Sequence, residues 1–393
     1  MVCARIPALG KKGDQILAFN RLTALVNAGY KVTLIHIAGL DKDESILKKD
    51  IENLGVRVHV IQISYLESLL HMIKTIFDSK LPMQTAIYKS TAFKREVKKI
   101  INSERISVVH CIGIRVSQNI PIPINNGKLW FEFIDSVALN FHARSNATRS
   151  LITRWLLNLE HTRLLKYEKA VAKHSCHSFV VSAKDRDYIG SKNIAVIKLG
   201  LDLSIYLRER KEESNRFIVF SGNMSYAPNV ISTLWFVKNC WQKVKNSVPD
   251  VKFVIVGRDP SVAIRNLSRS DDRIVVTGSV DDMGNILARS TVAIAPMQAG
   301  SGMQLKILEA MACSVPVLTT TLGLGDIDAH IDEEIKVADD PDMFSQTLIH
   351  LCGNRSLNYS VGGSGNTFLK KNHCRESINL RFIDIIKDLK EIT

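Results

Sequence analysis

Short runs of β-branched residues alternate with amphipathic stretches along most of this chain, a pattern that fits parallel sheets flanked by helices. Runs at 2–6, 31–37, 56–61, 108–111, 129–134, 178–182 and 194–199 read as strands of a first sheet. The same grammar restarts at 216–221, 251–256, 274–277, 292–296 and 315–319. Parallel neighbours need crossover connections, and the stretches between the runs supply helices. One spans 15–28, with Ile16, Phe19, Leu22, Leu25 and Val26 at helical spacing and Gly29 as its stop. Another spans 230–246. Residues 208–215, Arg-Glu-Arg-Lys-Glu-Glu-Ser-Asn, carry no apolar side chain and read as a linker. A length of 393 residues fits two domains, here 1–203 and 204–372. The amphipathic stretch at 374–389 is expected to form a terminal helix, 373–393, that returns to the first domain. The expected fold is α/β, with two Rossmann-like doubly wound domains facing a central cleft, since ligands bind beyond the carboxyl ends of such strands.

Charge divides the two halves. Residues 1–200 hold 30 Lys+Arg against 16 Asp+Glu, and residues 201–393 hold 22 against 23, consistent with the overall net charge of +13. The basic half attracts polyanions or anionic lipid. Segments 89–99 and 144–173 interleave cations with apolar residues, and 66–77 adds Leu66, Leu69, Leu70, Ile73, Ile76 and Phe77. Each segment reads either as a helix packed on the sheet or as an amphipathic surface on anionic lipid. Taken together they point to an anionic membrane surface as a partner. No recognition motif or run of stacking aromatics accompanies the charge, so nucleic acid is not an expected partner. No run of about 18 uncharged apolar residues is present, so no membrane span is expected. The seven cysteines form no Cys-x-x-Cys pair, and residues 1–5 lack a signal-peptide layout. The expected location is cytoplasmic, peripheral at the inner face of the cell membrane.

The most specific segment is Pro296-Met-Gln-Ala-Gly-Ser-Gly-Met-Gln-Leu-Lys-Ile-Leu-Glu-Ala-Met-Ala-Cys-Ser-Val-Pro-Val-Leu-Thr-Thr320. It reads as strand, glycine turn, helix, strand. A helix starting near Gly302 would aim free N–H groups at the turn, a site for phosphate. Lys306 and Glu309 share a helix face, so a cation for a diphosphate stands beside a carboxylate for ribose hydroxyls. Equally, Ser301 and Gln304 fit a capping box and Lys306 and Glu309 a surface ion pair, neither of which needs a ligand. Asp135, in Trp130-Phe-Glu-Phe-Ile-Asp-Ser136, is either a proton-accepting carboxylate or the N-cap of a following helix. His110 reads as a packing residue. The Asp-x-Asp triplets arise readily by chance, and neither a Walker A loop nor a Gly-x-Gly-x-x-Gly turn follows the first strand. No metal or other cofactor is expected.

The 296–320 segment resembles the donor-site signature of family 4 retaining glycosyltransferases, in which a glycine-rich turn precedes a Leu-Glu-Ala-Met-Ala helix. Gly222-Asn-Met-Ser-Tyr-Ala-Pro-Asn229, Phe253-Val-Ile-Val-Gly-Arg258 and Val276-Thr-Gly-Ser-Val280 resemble the nucleotide-binding domain of bacterial envelope-sugar transferases. Pro7-Ala-Leu-Gly-Lys-Lys-Gly-Asp-Gln15 resembles the loop that reaches the donor phosphates. Phe179-Val-Val-Ser-Ala-Lys-Asp-Arg186 and Leu199-Gly-Leu-Asp202 resemble the last strands before the crossover. The resemblance implies the GT-B fold, an acceptor-binding first domain and a nucleotide-sugar-binding second domain. It implies retaining transfer from a nucleotide diphosphate sugar, UDP- or GDP-linked, to a glycan or lipid-linked acceptor. Lys306 and Asp135 would be catalytic. Gly13, Gly222, Asn223, Arg258, Ser301, Gly302, Met303 and Glu309 would bind the donor. Two departures stand out. Ser301 replaces the first member of the family's Glu-x7-Glu pair, and Asn223 stands where many members place an arginine. These keep open a catalytically silent scaffold of the same fold that binds a glycan or partner transferase; a nucleotide-sugar epimerase is a further alternative.

Overall fold

Thirteen parallel strands carry the described chain in two sheets. The computed structural model describes residues 1–9, 12–40, 43–77, 81–104, 106–121, 128–148, 150–206, 210, 216–300 and 303–391. β1 (Val2–Cys3), β2 (Thr33–Ile37), β3 (Arg57–Ile61), β4 (Val108–Ile112), β5 (Lys128–Ile134), β6 (His177–Val180) and β7 (Ile194–Val196) form the first sheet. Its order is β3-β2-β1-β4-β5-β6-β7. β8 (Phe217–Ser221), β9 (Lys252–Val256), β10 (Ile274–Gly278), β11 (Val292–Ala295), β12 (Val317–Thr319) and β13 (Lys336–Val337) form the second, in the order β10-β9-β8-β11-β12-β13. Both orders reverse between the first and fourth strands of their sheet. A doubly wound sheet opens a crevice for ligands at that reversal.

The chain divides into one compact unit of Met1–Gly200 with Ile378–Thr393 and a second of Leu201–Ser377. All twelve expected strands are present, and β13 joins them. The expected helix at 230–246 is present within one continuous helical run, Ala227–Phe236 and Gln242–Ser247 with a π-turn at Val237–Trp241 between them. Most of the expected linker lies outside the described residues. Arg210 within it is docked rather than solvated, donating to the carbonyls of Ser314 at 3.3 Å and Thr291 at 3.2 Å and stacking 4.5 Å over Tyr359. No described helix is long and apolar enough to cross a membrane.

The second core is largely aliphatic and aromatic, but the first contains a buried ion pair. Arg21, on the Gly13–Asn27 helix, donates from Nε to Glu132 Oε2 at 3.0 Å and from Nη2 to Oε1 at 2.9 Å, and neither side chain is exposed. Phe382, on the Arg375–Glu391 helix, lies 4.5 Å from the guanidinium and stacks on His110 at 5.9 Å. Burial pushes the Glu132 carboxyl up, but Arg21 and His110 outweigh it and hold it at about 2. Burial lowers His110, whose Nε2 is 3.3 Å from Glu132 Oε2, so it is a packing residue of β4. A carboxyl held below its unfolded value stabilises the fold above the ordinary carboxylate range, and that contribution is lost as pH falls toward about 2. Glu132→Gln would leave the guanidinium buried without its counter-charge. Denaturant unfolding should show a loss of about 3–5 kcal/mol at neutral pH, and the variant should lose less on acidification than the parent.

Candidate functional site

The carboxyl ends of β8, β9 and β11 bring Gly222 and Lys306, two of the expected residues of the second unit, together. Gly222 follows β8 with φ +151°, and Gly257 follows β9 with φ +154°. Their backbones pass so closely that a Cβ on Gly257 would lie 1.6 Å from Gly222 O. Only glycines fit this crossing. The Gly222 amide donates to Val256 O at 2.9 Å, and the Met224 amide to Arg258 O at 2.9 Å. The loop then turns into the Ala227–Phe236 helix, which has a proline in its first turn and carries Asn229.

Lys306 meets this loop from the Leu305–Ala312 helix. Its Nζ donates to Asn229 Oδ1 at 2.7 Å and lies 4.2 Å from the Phe220 ring centroid, with Met297 Sδ at 3.8 Å. A Cβ on Gly222 would come within 3.4 Å of the same nitrogen. Little of this surrounding is anionic. Burial pushes the ammonium down to about 7, against a smaller upward pull from Glu309. Glu309, one turn along, accepts from Tyr206 Oη at 2.9 Å. Burial raises its carboxyl, while Tyr206 and Lys306 pull it the other way. Lys306 and Glu309 are therefore not a surface ion pair; each turns to a partner outside its own helix.

Other expected donor residues are placed less directly. Asn223 Oδ1 accepts from the Ser225 amide at 3.0 Å and Ser225 Oγ at 2.8 Å, so its side chain closes its own turn, while its carbonyl accepts from Asn229 Nδ2 at 3.0 Å. Arg258 is half-exposed, 3.9 Å from Asp259. Met303 is partly buried against the core. Ser301 and Gly302 lie outside the described residues. The helix begins at Leu305 with Gln304 as its N-cap, later than the expected start near Gly302, and the N-cap of the expected box falls on Gln304 instead of Ser301. Asn229, Phe220 and Tyr206 were not among the expected site residues. Asn229 ends the 222–229 segment that carries part of the resemblance, and that resemblance was the signal for it. Tyr206 is 103 residues from Glu309 and had none.

In the first unit, Gly13 opens the Gly13–Asn27 helix, and a Cβ there would meet nothing within 4 Å. Asp135 follows β5 directly after Ile134, whose φ of +72° is strained for a β-branched residue. Asp135 Oδ2 accepts from Asn140 Nδ2 at 2.7 Å, and burial raises its carboxyl. The N-cap is Ser136 rather than Asp135, with Ser136 Oγ accepting from the Leu139 amide at 3.1 Å. That hydroxyl also donates to Glu168 Oε2 at 2.7 Å, and the Ser136 amide donates to Asp185 Oδ1 at 2.9 Å. Burial pushes Glu168 up to about 7, although Ser136 and two backbone amides oppose it. Two buried carboxyls thus pin the turn that presents Asp135.

Comparisons with known proteins agree with this fold. Residues 215–354 match the family described as glycosyl transferases group 1. An uncharacterized 44.6 kDa protein in the cps region of Klebsiella pneumoniae is 22% identical over 398 residues, covering 99% of this chain and 98% of that one. The structure of Anabaena Alr3699/HepE in complex with UDP-glucose superposes with a TM-score of 0.66 at 11% identity, covering 98% of this chain and 99% of that one. WaaG, a glycosyltransferase involved in lipopolysaccharide biosynthesis, superposes with a TM-score of 0.64 at 12% identity, covering 98% and 99%. Two Rossmann-like units, the second with its polar cluster at the strand reversal, define a GT-B glycosyltransferase, and that is the class of this enzyme. The group 1 match at 215–354 contains the 296–320 segment and agrees with the resemblance read from it.

The backbone crossing gives a direct test. Gly257→Ala should unfold at markedly lower denaturant, by more than about 4 kcal/mol, or fail to accumulate as folded protein. Gly13→Ala should stay within about 1 kcal/mol of the parent in the same measurement.

Proposed function

We propose that this enzyme transfers a sugar, with retention at the anomeric carbon, from a nucleotide diphosphate sugar to a glycan or lipid-linked acceptor in envelope polysaccharide assembly. The observation that carries the reading is the Lys306 ammonium at the strand reversal of the second sheet, bonded to the Asn229 amide oxygen and pushed down to about 7 by burial. An anion seated beside it would supply the missing counter-charge. Leaving-group charge in such a transfer builds on diphosphate oxygens, where a preorganised cation and helix N–H groups give most of the help. Lys306 and the backbone at Ser301, Gly302 and Met303 take that role. Glu309 accepts from ribose hydroxyls once Tyr206 shares it. Gly222, Asn223 and Arg258 line the loop beneath the donor, and Gly13, at the start of its helix, takes the phosphate-side role that the resemblance of 7–15 implies. Asp135 positions the acceptor hydroxyl, with a phosphate oxygen taking its proton.

Two named relatives support this reading. HepE was captured with UDP-glucose, which favours a UDP-sugar over a GDP-sugar, and WaaG acts in lipopolysaccharide biosynthesis. Residues 1–203 then serve the acceptor and 204–372 the donor, with 373–393 returning to the first domain. The enzyme works at the cytoplasmic face of the membrane as a peripheral protein.

Thermal unfolding across UDP, GDP, ADP, CMP and their sugars tests the donor site. One nucleotide should raise the midpoint by mass action, and Lys306→Ala and Glu309→Ala should each sharply reduce the rise. A panel without any shift would overturn the donor assignment. The pH dependence follows from Lys306. A bound diphosphate favours the charged form and raises the lysine above about 7, so binding takes up a proton at higher pH. Donor affinity measured by calorimetry should therefore weaken as pH rises from 7 toward 9, and Lys306→Met should remove that dependence.

A further inference from the structure

The apolar spacing at 66–77 and 144–173 is what a buried helix face would show, yet the structure leaves much of it in solvent. On the Tyr65–Phe77 helix, Tyr65 is 81% exposed, and Leu66, Leu70 and Ile73 are exposed with it. The first turns of the Leu151–His174 helix are exposed all round from 151 to 156. Leu151 is 76% and Trp155 64% exposed, with Ile152 and Leu156 beside them.

These are parts of one surface. The short Met83–Ala86 helix packs against the Tyr65–Phe77 helix, and the Gln84 amide donates to Glu160 Oε1 of the longer helix at 3.0 Å. Met83, at this junction, is also exposed. An apolar surface of this extent on a soluble unit marks a place of contact.

Charge decides what the contact is. The two acidic residues on these helices nearest the patch are engaged: Glu67 accepts from the Thr91 amide at 2.8 Å, and Glu160 holds Gln84. Lys74, Arg144 and Arg154 are exposed, and residues 1–200 carry 30 cations against 16 anions. Two copies meeting through this patch would bring like charge to like charge. An anionic bilayer satisfies both components at once, since tryptophan and leucine enter the boundary of the acyl chains while lysine and arginine reach the headgroups.

We infer that the exposed face of the Tyr65–Phe77, Met83–Ala86 and Leu151–His174 helices is the surface through which this protein docks on anionic lipid, with Trp155, Leu156, Leu66 and Leu70 inserted. The inference deepens the peripheral-membrane part of the proposed function and rests on it.

Co-sedimentation of the full chain with vesicles tests it, using phosphatidylcholine alone and phosphatidylcholine mixed with phosphatidylglycerol. The protein should bind the mixed vesicles, more weakly at high salt, and bind neutral vesicles poorly. Trp155→Ser with Leu156→Ser, and separately Leu66→Ser with Leu70→Ser, should each weaken binding by about tenfold or more. Both pairs should keep the parent's unfolding midpoint and its response to nucleotide, which separates lost docking from lost folding. Absence of binding to mixed vesicles, variants that bind like the parent, or a dimer of the parent that the substitutions dissolve would each overturn the inference. Vesicle binding that is lost in the variants while no nucleotide shifts the parent would uphold the docking surface and count against the donor site.

Discussion

Two backbones cross at Gly222 and Gly257 with no room for a side chain on the second, and the cluster around Lys306 is built on that crossing. The contact draws the loop after β8 down against the end of β9, which sets where the following helix starts and so where Asn229 stands. Asn229 in turn holds Lys306, which arrives from the far side of the strand reversal on the Leu305–Ala312 helix. A lysine placed by one amide oxygen, an aromatic face and a thioether is poorly compensated as a cation. Burial lowers its proton affinity into the neutral range, which leaves it responsive to whatever anion comes near. The crossing is thus a packing constraint in origin and an electrostatic one in effect.

The first unit uses the opposite arrangement. Its buried charges are compensated inside the protein, Arg21 by Glu132 in bidentate geometry and both by the Phe382 and His110 rings around them. Removing one member of such a pair strands the other's charge in the core, which costs far more than the net contribution of the intact pair. The carboxyls near Asp135 are different again. Glu168 is held up to about 7 by burial and tied to Ser136, so the turn carrying Asp135 is anchored by a buried carboxyl.

Much of this was legible in the sequence, because alternation of β-branched runs and helical stretches fixes parallel strands wherever both faces are buried. All twelve expected strands appear. β13, of two residues, is too short for any period to show, and the π-turn at Val237–Trp241 leaves no mark on the apolar spacing around it. Lys306 and Glu309 were readable as a pair on one helix face. Their actual partners were not, since Asn229 and Tyr206 reach them only through tertiary packing. Spacing left the segments at 66–77 and 144–173 open between a face packed on the sheet and one turned to lipid; periodicity reports that a face is apolar, and says nothing of what covers it.

One helix far along the chain bears on how this site holds together. The Arg355–Asn372 helix contains Gly362, Gly363 and Gly365, each of which costs helix formation about 1 kcal/mol relative to alanine. A Cβ at Gly362 would lie 2.2 Å from Ser314 O, so the glycine permits the helix to rest directly on the turn before β12. From that seat Asn366 Nδ2 donates to the last carbonyls of the Lys306 helix, Met311 at 3.0 Å and Ala312 at 2.9 Å. Neither helix is stable by itself: one is eight residues long and the other rich in glycine. They are therefore expected to open and close together as one cooperative unit, and amide exchange in the Lys306 helix should follow the opening of a helix some fifty residues downstream, about the separation of Met311 and Asn366.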